Sequence, residues 1–214
     1  MVEVGREPPH EADAAIVTVP TYRTAEFLED DQELSQRLAS IAYASTAVVN
    51  LGFRRECIGH PLDGFGLVVP ATEGRRIIAC SFSSVKCAGR APPGFALLRS
   101  FVGGALQPNL FELDDDRLVE IVQQELAELL AIRGRPAIVS ISRHARAMPQ
   151  YHVGHLAVVA EIDRLASRHP GLFLAGNGFG GVGIPDCVHG GELAAERAVT
   201  HLVTACRQVI PAHR

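Results

Sequence analysis

The sequence predicts a mixed α/β (α+β) chain, with a short parallel layer built from its two ends and a longer, mostly antiparallel sheet covered by helices between them. Three observations predict it. Ala14–Val19 is a continuous apolar run that ends at Pro20, as expected of a strand buried on both faces of a parallel sheet. From residue 45 the hydrophobic period shortens to two, with glycine and proline turns between successive runs. The chain then closes with an apolar strand, a glycine-dense turn and a helix, LFLAGNGFGGVGIPDCVHGGELAAERAVTHLV over residues 172–203.

The elements follow in order. After the first strand, Asp30 and Asp31 offer caps for a helix carrying Leu34, Leu38 and Ile41. Ser45–Phe53, Phe65–Val69, Arg76–Ser83 and Phe95–Val102 read as strands. Asp114–Ile132 is the clearest helix: Asp114 caps it, Leu118, Ile121, Val122, Leu126, Leu129 and Leu130 form its apolar side, and Gly134 stops it. It is expected to cover one face of the middle sheet. Ala137–Ser142 returns to strand, and Leu156–Leu165 forms a helix stopped by Pro170-Gly171. The last strand and helix rejoin the first strand's sheet, which divides the chain into residues 1–44, 45–147 and 148–214, with the outer two belonging together. No internal repeat or low-complexity tract interrupts this plan. Asp114-Asp115-Asp116 reads as a helix start and Arg75-Arg76 as a solvated turn.

Composition narrows the class. The 214 residues are 47% hydrophobic and 21% charged, enough for a substantial core. Twenty Lys and Arg against 24 Asp and Glu give a net charge of −4, which argues against general nucleic-acid binding. The polar, acidic start MVEVGREPPHEADA is unlike a signal or transit peptide, and no apolar run reaches spanning length, so a cytoplasmic location is expected. Cys57, Cys80, Cys87, Cys187 and Cys206 are odd in number and lack C-x-x-C spacing, as for reduced thiols. His152-x-x-His155 has no neighbouring Cys or carboxylate cluster, so no metal is expected and ordinary polar contacts are. Neither a G-x-S-x-G elbow nor a P-loop is present.

The glycine turn is the candidate site. Gly176, Gly178, Gly180, Gly181 and Gly183 clear side chains from a stretch of backbone, and Pro185 suits the first turn of a helix. The positive end of that helix stabilises an anion or an electron-rich ring by about 0.3–1 kcal/mol when exposed. Its apolar residues, Val188, Leu193, Ala194, Ala195, Ala198, Val199, Leu202 and Val203, are expected to lie against the sheet. Tight packing alone also produces such turns, and spacing does not separate the two readings. The string is not a dinucleotide fingerprint in its usual setting, since no second βαβ unit follows it.

The segment GNGFGGVGIPDCVHGGELAAERAV resembles the C-terminal flavin-contacting segment of the oxygen-dependent protoporphyrinogen and coproporphyrinogen oxidases, within the flavin amine oxidase superfamily. The resemblance extends upstream through DAAIVTVPTYRTAEFL at 13–28, IAYASTAVVNLGF at 41–53, GFGLVVP at 64–70, SFVGG at 100–104 and MPQYHVGH at 148–155, in the family's order. It implies that residues 1–44 and 148–214 belong to an FAD-binding region and 45–147 to a substrate-binding region whose sheet floors an apolar cavity. It further implies hydride transfer from a reduced tetrapyrrole to the flavin, with dioxygen as final acceptor and few acid–base residues. No catalytic residue is singled out. The backbone of Val182, Gly183 and Ile184 is implied to contact the isoalloxazine, and Phe65, Gly66, Val68 and Phe101 to grip the macrocycle. Without the resemblance, core packing is the ordinary reading of Phe65, Val68 and Phe101.

The family's N-terminal half, with its glycine fingerprint, its acidic ribose ligand and a basic residue for a substrate carboxylate, has no counterpart in these residues. The chain alone is therefore expected to bind FAD poorly, as a truncated product or as one subunit of a split enzyme completed by a second chain. A non-catalytic tetrapyrrole-binding or interaction module is a second reading. A flavin amine oxidase is a third, for which Phe179 as the lone aromatic of the last turn is a poor fit. Membrane-surface association is compatible with the resemblance but not legible in the residues.

Overall fold

The computed structural model describes residues 10–209, so most of the polar start lies outside the described residues. Two compact units are present, Tyr43–Met148 forming one, and the residues up to Ala42 with those from Pro149 onward forming the other. We call the second of these the split unit and Tyr43–Met148 the central unit.

In the split unit, β1 (Ala15–Val17) and β7 (Leu172–Leu174) pair in parallel, Ala15 opposite Leu172 and Val17 opposite Leu174. The pairing is tight at its entrance. Gly171 has φ +84°, and a Cβ there would sit 2.6 Å from the Asp13 carbonyl oxygen. Helix α1 (Thr21–Phe27) begins directly after Pro20 and was not foreseen, because TYRTAEF carries no apolar period. Helix α2 (Gln32–Ala39) starts where the sequence places it: the Asp31 side chain accepts from the Leu34 amide at 3.1 Å. That carboxylate also accepts from Arg168 at 2.8 Å and lies 2.8 Å from Nε2 of His169, tying α2 to the end of α5 (His155–Ala166). The bond with His169, then the Leu34 amide and the Arg168 charge, hold Asp31 below the usual carboxylate range against the opposing effect of desolvation. Leu34, Leu38, Ile162 and Leu165 are fully buried. Helix α6 (Ile184–Val209) buries Ala194 and Ala198, whereas Val188, Leu193, Val199 and Val203 are exposed. The expectation that all these apolar residues lie against the sheet is thus corrected. Two strands of three residues are too small a surface to cover a helix this long.

The central unit is a five-stranded sheet in the order β3-β4-β5-β2-β6, comprising β2 (Tyr43–Arg54), β3 (Gly66–Val68), β4 (Ile77–Phe82), β5 (Phe95–Gly103) and β6 (Ile138–Pro149). The pairs β3·β4, β4·β5 and β2·β5 are antiparallel, with Val48 opposite Phe101 and Asn50 opposite Arg99. A single turn of helix, α3 (Ser83–Lys86), follows β4. Helix α4 (Asp115–Leu130) packs on one face: Leu118, Val122, Leu126 and Leu130 join Ala47, Val49, Leu51, Phe53, Ile77, Phe82, Leu98 and Val102 in one core. Asp114 caps α4, accepting from the Arg117 amide at 2.8 Å. The helix ends at Ala131, in the left-handed region at φ +49°, three residues before the expected Gly134. Strand β6 runs on past Ser142, where SRHARAMP shows no alternation because almost all of it is exposed.

Arg75 and Arg76 correct a second expectation. Rather than facing solvent, they clamp the buried Glu125 of α4: Arg75 donates at 3.0 Å, as does the Arg76 amide, and the Arg76 guanidinium at 3.3 Å. Burial works to raise the Glu125 carboxyl, but the Arg76 amide and the two guanidiniums together hold it below its ordinary value. Among the cysteines, Cys80 is buried and its thiol is pushed up to about 11 by desolvation, Cys87 and Cys206 are exposed, and Cys57 and Cys187 lie between.

Candidate functional site

The glycine turn leaves its backbone open. Val182 is 50% exposed and Ile184 81% exposed, and a Cβ added at Gly180 would meet nothing. The first-turn amides of α6 have no carbonyl partner within their own helix. Gly180, Val182 and Ile184 are therefore the accessible positions at the positive end of the helix, and Gly183, the third predicted cofactor residue, lies half-buried between the last two.

Other glycines of the turn serve packing. A Cβ on Gly176, at φ +124°, would lie 3.3 Å from the Thr18 carbonyl oxygen, and Cβ atoms on Gly181 and Gly183 would lie 2.6 and 2.8 Å from the Asp186 carboxylate. Asp186 thus folds back under the turn and supplies negative charge at the helix start. Both readings of the glycines hold, at different positions.

Two side chains fasten the turn from outside. Tyr151 donates its hydroxyl to the Asn177 carbonyl at 2.6 Å, and Nε2 of His155 lies 3.2 Å from the Phe179 carbonyl oxygen. Their rings stack at 3.8 Å and 13°. His155 is therefore in the ordinary polar contact expected of it, and no group of residues able to hold a metal is found among the described residues. The latch was hidden in the sequence because its acceptors are main-chain oxygens more than 20 residues away.

The predicted macrocycle residues belong to the central unit. Alternation along β5 places Phe95, Leu97, Arg99 and Phe101 on the face away from α4, and the register sets Ala79 and Val48 beside Phe101 and Val68 beside Ala79. Val68 is 79% exposed and Phe65, just before β3, is 71% exposed, so neither is a core residue. Phe101 is half-buried. Gly66, at φ +151°, has a structural reason of its own: a Cβ would run into the Cys80 carbonyl oxygen and the Ser81 Cα of the paired strand. An open hollow of about 570 Å³ lies elsewhere, between α6 and the start of β7, lined by His169, Phe173, Leu193, Arg197 and His201 among others, with none of the predicted residues. No helix among the described residues is long and apolar enough to cross a membrane.

A parallel strand pair ending in a glycine turn and helix, with an antiparallel sheet inserted between the pair in sequence, matches a family of redox proteins. The model for flavin containing amine oxidoreductase covers residues 2–199, and the chain belongs to that family. It is similar to the coproporphyrinogen III oxidase of Bacillus subtilis (strain 168), 36% identical over 193 residues, covering 90% of this chain and 41% of that protein. Similarity to the mitochondrial protoporphyrinogen oxidase of Nicotiana tabacum is 33% over 168 residues, covering 77% of this chain and 33% of that one. In structure it resembles a protein from Exiguobacterium sp. 255-15 named as a candidate protoporphyrinogen oxidase, with TM-score 0.77, 29% identity, and coverage of 91% of this chain and 42% of the other. The chain thus spans between about a third and two fifths of the length of these relatives.

Proposed function

We propose that this chain is the flavin- and substrate-contacting C-terminal part of an FAD-dependent porphyrinogen oxidase of haem biosynthesis, acting on protoporphyrinogen IX or coproporphyrinogen III with dioxygen as acceptor. The observation that carries this is the glycine turn at a helix N-terminus, exposed at Val182 and Ile184 and fastened at Asn177 and Phe179 by Tyr151 and His155. A flat ring fits such a turn, because bare backbone allows close approach and first-turn amides favour electron-rich atoms. When bound, FAD supplies the two-electron acceptor chemistry.

The chain's own residues orient the reactants. Val182, Gly183 and Ile184 offer main-chain donors to the ring, and the Tyr151–His155 latch keeps the turn in one geometry. Phe101, Val68 and Phe65, with the close-packed Gly66 between strands, offer the apolar surface on which a macrocycle lies. On this reading the outer residues, 1–44 and 148–214, serve FAD and residues 45–147 serve the substrate. A dinucleotide-binding part that these 214 residues do not contain holds the nucleotide end of the cofactor, and the reaction takes place in the cytoplasm or at a membrane surface.

The test is to titrate the chain with FAD, alone and mixed with a separately produced dinucleotide-binding segment of a relative, and to follow flavin absorbance together with porphyrin fluorescence generated from coproporphyrinogen III. Flavin retention and porphyrin formation are expected in the mixture. A mixture that assembles but retains no flavin would rule the oxidase reading out; tight porphyrin binding in that case would identify a tetrapyrrole-binding module.

A further inference from the structure

We propose that Arg99 reads a carboxylate of the tetrapyrrole on the exposed face of the central sheet, so that this face selects substrates by their peripheral acid groups. The assignment rests on the reading of that face as the macrocycle platform. The register places Ser81 of β4 and Asn50 of β2 on either side of Arg99, giving a polar row across three strands. Half-buried apolar residues border it, Ala79 and Phe101 on one side and Leu97 on the other, while Val48 and Gly52, their partners on β2, are buried. A cation in the middle of an apolar platform loses hydration whenever a flat apolar body covers it, which is unfavourable unless that body brings an anion.

The guanidinium is exposed, and no carboxylate among the described residues pairs with it. Its Cζ lies 5.3 Å from the centroid of Phe101, so the planar group rests on the ring and its N–H edges stay available. Arginine's fixed fork matches a carboxylate in two parallel hydrogen bonds, and the Ser81 hydroxyl and Asn50 amide stand beside it as further donors. Arg54 over Phe95, at 5.5 Å, repeats the arrangement at the other end of the same face. Peripheral propionates are the carboxylates of a porphyrinogen, and a ring with four of them gains more from this row than a ring with two.

The proposal is tested on the chain itself by titrating coproporphyrin III and its tetramethyl ester, in the same mild detergent, while following the Soret band. The native chain is expected to bind the acid about tenfold or more tighter than the ester. In Arg99→Ala most of that ratio disappears while ester affinity is unchanged, and Arg99→Lys keeps an intermediate ratio. An unchanged ratio in Arg99→Ala would overturn the assignment and leave the platform reading intact. Equal loss of acid and ester binding, with far-ultraviolet circular dichroism retained, would give Arg99 a packing role instead. A native chain that binds neither porphyrin overturns the platform reading, and this assignment with it.

Discussion

The central unit and the split unit solve the problem of burial differently. In the central unit five strands and α4 enclose one continuous core, and an internal ion cluster at Glu125 fixes the helix to the sheet. The split unit has a strand pair only three residues deep, a small cluster around Leu34, Leu38, Ile162 and Leu165, and a long helix whose apolar residues are half in water. Parallel sheets are normally covered on both faces. The comparison teaches that the central unit carries its own stability, while the split unit relies on polar fastenings such as Asp31 with Arg168 and His169.

Leu126→Ala should weaken the contrast most, since Leu126 is fully buried between α4 and the sheet. A loss of about 2–5 kcal/mol is expected in denaturant unfolding of the central unit. Glu125→Gln comes next, at about 1–3 kcal/mol, because two guanidiniums and an amide lose their shared charged acceptor. Its pH dependence has a definite sign. The Glu125 carboxyl is held lower in the folded chain than its ordinary 4.5, so its contribution is complete above that value and fades as pH falls through the folded one. The gap between native and Glu125→Gln unfolding free energies should therefore close on acidification; a gap independent of pH would remove the charged clamp from the account. The smallest effect is expected from Val199→Ser on the exposed side of α6, within about 0.5 kcal/mol by thermal unfolding. A large loss there would mean that α6 is better packed than its exposure indicates.

Much of the fold was legible because burial imposes periods. β2, β4, β5 and α4 alternate or recur with the core they face, and Asp31 and Asp114 cap the helices at which they were placed. The extent of β6 was poorly legible, since a strand that is largely exposed keeps no alternation. Helix α1 was missed because its buried positions are Thr21, Thr24 and Ala25 rather than large apolar residues. At the site, the glycine run marked the open backbone, but separating Gly180 from Gly176, Gly181 and Gly183 required knowing where Thr18 and Asp186 lie. Arg99 carries a signal readable in the sequence: a charge at an alternating position of ALLRSFV, two residues from Phe101 and on its side of the strand.

The distribution of thiols has a practical consequence. Cys80, sealed in the core with a thiol near 11, resists alkylation, while the two most accessible sulfurs fall one in each unit, Cys87 and Cys206. Spin labels introduced under brief, mild conditions will therefore favour that pair over the slower Cys57 and Cys187. The native polypeptide thus offers one accessible thiol in each unit for attaching reporters without any substitution.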